Sequence, residues 1–351
     1  MMEMTSSQRI EAAMSHKEPD RVPYALSATM HPARDMGLTI KEYFSRSDHI
    51  VEGQLRLRRK LGNDMLCCYP FAALEILAWG GDAIYCDDGP PNAGAPIFKY
   101  PEDILKSGPP PIHGNPCLET VLAAIHGLKS AVGDEIPIAG VIISPFSLPI
   151  MQLGFEAYLD MIYDRPDIIE RLLRINSAYC VAWANAQIKA GASAIMCADP
   201  ALSPTIMHKD ISQRYGIDTA KWVISRIDGP AMIHFASCSG LDLVDEVYDC
   251  GSIGMSPCAD EGIEDLKAAC RNKMTVVGGL NALEMRNWHP DQAEREVRRI
   301  LAAAGPGGGF VLSDNHGEIP FCVDDEVLLA VTEAVRRWGR YPLDWVASYD
   351  E

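Results

Sequence analysis

Four short apolar runs lie between residues 193 and 280: SAIMCAD (193–199), AMIHFAS (231–237), SIGMS (252–256) and MTVVGGL (274–280). Runs of this length that are apolar almost throughout are typical of β-strands covered on both faces, as in a parallel sheet. Outside this stretch four more runs have the same character: VPYALS (22–27), DMLCCY (64–69), IPIAGVIIS (136–144) and GFVLSD (309–314). The sequence therefore predicts eight strands.

Helical patterns separate these strands. The segment 290–305 begins with a proline, carries early acidic residues and ends at a glycine, which are the usual signals of a helix. Further helices are predicted at 154–190 (broken at Pro166), 211–227, 261–270 and 324–338. Eight strands with interleaved helices favour a (β/α)8 barrel, the TIM-barrel fold.

One stretch, 71–135, is too long for an ordinary connection and contains PP at 90–91 and PPP at 109–111. We interpret it as an inserted loop and helical region near the barrel mouth, within a single domain that spans 1–351. A doubly wound sheet is disfavoured because no GxGxxG follows the first strand. The glycine-rich GPGGG (305–309) precedes a strand and lacks a following Lys-Ser/Thr, so we interpret it as a helix-to-strand loop.

The composition and net charge disfavour several classes of protein. The 351 residues carry a formal charge of −17, which disfavours binding to nucleic acid or to an anionic membrane. No apolar run reaches about 18 residues, so no membrane span is expected. The N-terminus lacks the apolar core of a signal peptide, and the eleven cysteines are an odd number. These features predict a cytoplasmic protein with reduced thiols.

Polar residues follow most of the predicted strands, at the end where (β/α)8 barrels carry their chemistry. The candidates for binding or catalysis are Tyr69, Ser144, Phe146, Asp199, His234, Cys238, Asn281, Asn315, His316 and Glu318.

Several of these residues also have purely structural explanations. Asp199 is either a helix cap or a buried acid with a shifted pKa. His234 and Cys238, with a third ligand, would suit zinc, whereas a histidine near a cysteine is often a hydrogen-bonded core residue. Asn281 is either a ligand contact or a turn residue. NHGEIP (315–320) is dense in polar groups, which indicates a site, but a simple turn also explains it.

Together these motifs resemble the uroporphyrinogen decarboxylase superfamily, and in particular its corrinoid-dependent methyltransferase branch. The resemblance covers nearly the whole chain. The matching stretches are RIEAAMSHKEPDRVP (9–23), IFKYPEDI (97–104), SPFSLPIMQLGFEAYLDMIYDRPDIIERLL (144–173), AQIKAGASAIMCADP (186–200), IHFASCSG (233–240), VVGGLN (276–281) and HGEIPFCVDDEVLLAVTEAV (316–335).

The resemblance implies a (β/α)8 barrel and one of two activities. Decarboxylases of the superfamily grip a porphyrinogen with an arginine-rich N-terminal segment, but the corresponding stretch 24–37 offers Arg34 alone. Binding a polyanion without several cations is costly, so decarboxylation is disfavoured. The methyltransferase branch instead moves a methyl group from a methylated corrinoid, carried by a partner protein, to an acceptor.

Thiol-directed members of that branch bind zinc through a His-x-Cys and a distant Cys. This chain has Ala236 where the first cysteine is expected and His316-Gly317 at the second position, so only a rearranged set of His234, Cys238 and His316 remains. A member without zinc needs an acceptor that is already nucleophilic, and N5 of tetrahydrofolate is a neutral amine. HGEIP-type sequences resemble methylcorrinoid:tetrahydrofolate methyltransferases.

The resemblance then implies roles for the strand-end residues. Asp199 and Asn281 would bind the amide and amino edges of the pterin, and Ser144, Phe146, Tyr69 and Asn315 would line the site. His234, His316, Glu318 or Asp199 would act in acid–base catalysis.

Three alternatives stay open. They are a zinc-dependent methylcorrinoid:thiol methyltransferase, a porphyrinogen decarboxylase, and a barrel that binds a corrinoid protein or folate without catalysis. The sequence leaves the upstream methyl donor and a possible homodimer undecided.

Overall fold

The computed structural model describes residues 3–68 and 71–349. Eight parallel strands form a nearly closed barrel in the order β1-β10-β9-β8-β7-β6-β5-β2. All eight predicted strands are present. Their bounds, with those of a separate antiparallel hairpin (β3 and β4), are β1 Tyr24–Ala25, β2 Leu66–Cys67, β3 Ala83–Ile84, β4 Asn92–Ala93, β5 Ile138–Ile143, β6 Ala194–Ala198, β7 Ala231–His234, β8 Gly254–Ser256, β9 Thr275–Leu280 and β10 Phe310–Asp314.

Side chains, rather than a backbone ladder, join β1 to β2. Asn63 donates to the carbonyl of Leu26 at 3.1 Å and accepts from its amide at 3.2 Å. The amide of Asp64 donates to the carbonyl of Tyr24 at 2.8 Å. Asn63 and Asp64 are both buried, so these bonds close the barrel at its weakest seam.

Helices cover the outside of the barrel, and the predicted helices are present. The long predicted helix divides at Pro166, where proline is tolerated because it occupies the first helical turn. The bounds are α1 Ser6–Met14, α2 His31–Asp35, α3 Ile40–Phe44, α4 Ser47–Leu61, α5 Leu74–Ala78, α6 Pro101–Lys106, α7 Pro116–Val132, α8 Leu148–Leu153, α9 Phe155–Asp164, α10 Pro166–Ala190, α11 Lys209–Ile211, α12 Asp218–Ile224, α13 Val244–Asp249, α14 Ile263–Ala269, α15 Pro290–Ala304 and α16 Asp325–Trp338.

The inserted region is shorter than predicted. Its last part, α7, packs between α4 and α10 and is the crossover helix that connects β2 to β5. The remainder, from 71 to 115, carries α5, the hairpin and α6. It lies near the carboxyl end of β5, because Glu75 of α5 accepts a hydrogen bond from the amide of Ile143 at 2.8 Å.

Two apolar clusters form the core. The larger one fills the barrel and the space under its helices, and includes Trp183. The smaller one lies under α9 and α10, where Phe98 of the insertion packs with Phe146 and Tyr158. No helix in the described ranges is long and apolar enough to cross a membrane.

The GPGGG segment is a helix-to-strand loop, as predicted. α15 ends at Ala304, and the amide of Gly305 donates to the carbonyl of Leu301 at 3.0 Å. Gly307, Gly308 and Gly309 then adopt positive φ before β10 begins. This loop lies at the amino end of the barrel, away from the polar strand ends.

Candidate active site

Asp199 and His234 are neighbours at the carboxyl ends of β6 and β7. Ala198 pairs with His234 in the sheet, and the amide of Asp199 donates to the carbonyl of His234 at 2.8 Å. Both side chains are buried. The strand register therefore brings together two of the predicted site residues.

The Asp199 carboxyl is only half satisfied. Ser147 donates its hydroxyl to Oδ1 at 2.6 Å, and the Ser144 hydroxyl also lies close to the carboxyl. The other oxygen, Oδ2, is buried without a hydrogen-bond partner among the described residues. Asp199 makes no side-chain cap to the turn that follows it, so the capping explanation does not account for this residue.

Burial raises the pKa of Asp199 to about 6, although the hydroxyls of Ser144 and Ser147 partly oppose the shift. A buried carboxylate with one free oxygen needs a hydrogen-bond donor, because leaving it unpaired is costly. The Oδ2 atom of Asp199 can thus accept a hydrogen bond from a ligand that carries N–H groups.

His234 has two buried ring nitrogens, neither of which has a hydrogen-bond partner in the described structure. Burial lowers the pKa of His234, and the nearby Asp314 opposes that shift. Gly317 approaches the ring closely: a Cβ at Gly317, where φ is +87°, would lie 2.6 Å from Nε2. Only glycine fits this approach, which explains the glycine of the HGEIP segment.

The backbone after β7 is strained. Ala236 and Ser237 have φ of 48° and 70°, which non-glycine residues rarely adopt and which cluster at functional sites. The amide of Ser237 donates to the carbonyl of Asn315 at 2.9 Å, and its hydroxyl lies 2.7 Å from Nδ1 of His316. The strained turn thereby joins the ends of β7 and β10 and orients the exposed His316 imidazole.

Glu318 lies against the segment that follows β1. Thr29 donates its hydroxyl to one carboxyl oxygen, and the amide of Met30 donates to the other at 3.3 Å. Burial raises the pKa of Glu318 well above its usual value, and the neighbouring Asp314 adds to the shift. The Glu318 carboxyl therefore holds its proton more tightly than an exposed glutamate does.

The other predicted site residues are placed differently. Phe146 is fully buried in the smaller core cluster, where its ring packs edge-on against Tyr158, so the prediction that it lines the site is wrong. Asn315 is also buried, and its Oδ1 accepts from the amide of Ala282 at 3.3 Å, so its side chain connects the ends of β10 and β9. Tyr69 lies outside the described residues.

Asn281 is committed to a turn. Its Oδ1 accepts from the amide of Glu284 at 3.3 Å. The residue also lines a cavity of about 240 Å³ between the end of β9 and α15, together with Trp288 and Arg299. The structure therefore gives Asn281 a turn role.

The residues at the mouth do not fit a zinc ion. Within 3–68 and 71–349, no three His, Cys, Asp or Glu side chains lie close enough to hold a metal. Cys238 is half-buried beside Thr205 and Cys258, and burial raises the pKa of its thiol. The geometry therefore does not bring His234, Cys238 and His316 together as a ligand set within the described residues.

Three site residues escaped the sequence-based prediction: Ser147, Ser237 and Thr29. Ser147 is three residues from the predicted Ser144, so the serine-rich SPFS was a usable signal. The positive φ of Ser237 could not be predicted, because the usual sequence signal for positive φ is a glycine and this position is a serine. Thr29 is 289 positions from Glu318 in the chain, a distance that local patterns do not bridge.

An eight-stranded barrel with acids and histidines at the carboxyl ends of its strands has the architecture of a (β/α)8-barrel enzyme. The sequence profile of the uroporphyrinogen decarboxylase (URO-D) family matches residues 5–338. The chain belongs to this family.

Relatives in the family fall into two groups. The uroporphyrinogen decarboxylase of Nitrosomonas europaea is 29% identical over 240 residues, which cover 65% of this chain and 66% of that protein. The methylcobamide:CoM methyltransferase MtaA of Methanosarcina barkeri is 25% identical over 169 residues, 47% of this chain and 49% of that protein. The chain thus spans just under two-thirds of the decarboxylase and about half of the methyltransferase.

Among solved structures, a methyltransferase from Methanosarcina mazei has the same fold. It superposes with a TM-score of 0.84 over 95% of this chain and 99% of that chain, at 19% identity. A B12-independent methionine synthase from Shewanella sp. W3-18-1 is more distant, with a TM-score of 0.55 over 91% and 97% of the two chains at 14% identity. Both comparisons support the barrel fold.

Proposed function

We propose that this protein transfers a methyl group from a methylated corrinoid, held by a partner protein, to N5 of tetrahydrofolate without zinc. The observation that carries the proposal is the buried Asp199 carboxyl with its unpartnered Oδ2. The amide and amino edge of a pterin presents neighbouring N–H donors, which match the two oxygens of a carboxylate.

The reaction depends more on the relative positions of the two reactants than on strong acid–base catalysis. A methylated corrinoid supplies an electrophilic methyl group when it is bound. The transfer would form the N5–carbon bond and break the carbon–cobalt bond, whose electron pair would stay on the corrinoid, while the N5 proton would be released. Asp199 orients the pterin, and holding two reactants in line removes much of the entropic barrier.

His316 is suited to accept the N5 proton. Its ring is exposed at the mouth and is oriented by the Ser237 hydroxyl, which lies 2.7 Å from Nδ1. Glu318, whose raised pKa favours the protonated form, is hydrogen-bonded to Thr29 and Met30 and is a second acid–base group nearby. Both residues belong to the loop after β10, which the Ser237–Asn315 bond ties to the end of β7.

Decarboxylation is the activity named for several relatives, but the charges at this mouth do not favour it. Arg34 is the arginine of the segment 24–37, and it donates to Asp325 at 3.0 Å and to the carbonyl of Phe321 at 3.3 Å. Its guanidinium also lies over the Phe321 ring, at 5.6 Å from the centroid. The Arg34 guanidinium is therefore already paired, so it is not free to bind a substrate with many carboxylates.

Equilibrium binding of tetrahydrofolate tests the role of Asp199. We expect Asp199→Asn to weaken binding by about 10- to 100-fold, since a charged hydrogen bond contributes about 1.5–3 kcal/mol. Asp160→Asn is the matched control, because Asp160 is exposed on α9. Calorimetry under anaerobic conditions gives both affinities. Equal affinity of a folded Asp199→Asn variant and the wild type would remove the proposal's main support.

A further inference from the structure

A second cavity lies at the opposite end of the barrel from Asp199. It encloses about 660 Å³ and is lined by residues that precede the strands, including Arg21 before β1, Gly62 before β2 and Ile136 before β5. In (β/α)8 barrels the amino ends of the strands do not carry the catalytic residues. The proposed methyl transfer therefore leaves this cavity unexplained.

Arginines dominate the lining of this cavity. Five of them face it, against three carboxylates, in a chain whose net charge is −17. The five are Arg9, Arg21, Arg58, Arg336 and Arg340, and the three are Glu3, Asp20 and Glu135.

Two of the arginines are already neutralised. Arg9 pairs with Asp20 at 2.6 Å and with Asp64 at 2.7 Å. Arg21 also pairs with Asp64, at 2.6 Å. These bonds hold α1 and the start of β1 against the barrel, so they explain Arg9 and Arg21 as structural residues.

The other three arginines have no carboxylate partner among the described residues. Arg58 donates to the Ser6 hydroxyl at 3.3 Å, but its Nε is buried with no hydrogen-bond partner. Burial lowers the pKa of Arg58, the nearby Asp64 carboxylate opposes this shift, and the like charges of Arg21 and Arg9 add to it. Arg336 donates to the carbonyl of Leu61 at 3.1 Å and also lies beside the Tyr24 hydroxyl.

We propose that this cavity binds a compact multivalent oxyanion, a phosphate or a polycarboxylate, through Arg58, Arg336 and Arg340. Guanidinium groups bind both kinds of anion through paired N–H donors, and an anion here would satisfy the buried Nε of Arg58. A cavity of this size accommodates a small metabolite.

Thermal unfolding of the full chain tests the proposal with three probes at matched ionic strength: inorganic pyrophosphate, citrate and sodium chloride. A ligand that binds only the folded state raises the Tm with its concentration. We expect pyrophosphate or citrate to raise the Tm by several degrees beyond sodium chloride. The larger of the two shifts identifies the source, since pyrophosphate represents phosphate ligands and citrate represents polycarboxylates.

Variants locate the site. Arg58→Gln and Arg340→Gln should each reduce the anion-specific Tm shift by at least half, and Arg340 is exposed, so its replacement leaves folding intact. Arg295→Gln, an exposed arginine of α15 outside the cavity, should keep the full shift. The proposal is overturned if pyrophosphate and citrate raise the Tm no more than sodium chloride does. It is also overturned if Arg340→Gln keeps the full anion-specific Tm shift, as the control Arg295→Gln is expected to do.

Discussion

Asp199 affects stability and ligand binding in opposite directions. Its pKa is about 6 in the folded protein, against about 3.9 in an unfolded chain. Between these values the folded state holds a proton that the unfolded state has lost. The free energy of unfolding therefore falls as the pH rises from about 4 to above 6.

Replacing Asp199 by Asn removes the titrating carboxyl, and with it the fall in the free energy of unfolding at higher pH. We expect the variant to have a free energy of unfolding higher than the wild type at pH 8, by on the order of 1–3 kcal/mol. The difference should shrink towards zero at about pH 3, where the wild-type carboxyl is largely protonated in both states, and it should already be small at pH 4. Urea denaturation at pH 8 and at about pH 3 measures it, and a less stable variant at pH 8 would contradict the assignment of an unsatisfied buried carboxylate.

Ser237 is a positioning residue for His316. Ser237→Ala removes the 2.7 Å hydrogen bond to Nδ1 while the backbone bond to Asn315 remains. We expect turnover to fall by about tenfold and its pH profile to move, because the imidazole loses its orientation and its hydroxyl partner. Stability should change by less than about 1 kcal/mol, since His316 is exposed.

Ser239→Ala is the control for Ser237→Ala. Ser239 lies two residues further along the same turn and is partly exposed. If both alanine variants lower turnover equally and keep the wild-type pH profile, Ser237 does not position His316.

At the residue scale, the sequence predicted the strand-end acids and histidines better than their partners. Asp199, His234, His316 and Glu318 stand out because polar groups follow apolar runs. Phe146 was mistaken for a site residue because its place after β5 is the same as that of Ser144, and only the packing against Tyr158 separates the two.

At the scale of elements, the Asn63 side chain supplies two of the hydrogen bonds across the seam between β1 and β2. Asn63→Ala would leave the buried amide and carbonyl of Leu26 without partners. Each such group costs about 1–3 kcal/mol, so we expect a loss of about 2–4 kcal/mol in the free energy of unfolding. Urea denaturation with Asn287→Ala, an exposed asparagine, as control measures this loss. A loss like that of the control would mean that the seam is closed by other contacts.

The sequence predicted the eight strands because strands buried on both faces are apolar throughout. It placed helices well where proline and glycine mark their ends, as in α15. It assigned α7 to the insertion because prolines upstream obscured where the loop ended. The hairpin β3–β4 went unpredicted, since two-residue strands have no periodicity.

At the scale of the whole molecule, the barrel has two polar ends of different character. The carboxyl end holds buried acids and histidines with unmet hydrogen bonds, and the amino end holds arginines without carboxylate partners. The first pattern suits a ligand with N–H donors, and the second suits an anion. Strand-end patterns in the sequence indicated the first end, whereas the second is assembled from α1, α4 and the chain after α16, which no local motif connects.

The most direct test of the proposed function is an anaerobic assay of the purified protein with methylcobalamin and tetrahydrofolate, followed by the visible spectrum and by detection of methyltetrahydrofolate. We expect protein-dependent loss of methylcobalamin with equal formation of methyltetrahydrofolate, unaffected by a chelator and strongly reduced in Asp199→Asn at subsaturating tetrahydrofolate. Methyl transfer to a thiol but not to tetrahydrofolate, dependent on added zinc, would contradict the proposal, as would release of carbon dioxide from a porphyrinogen.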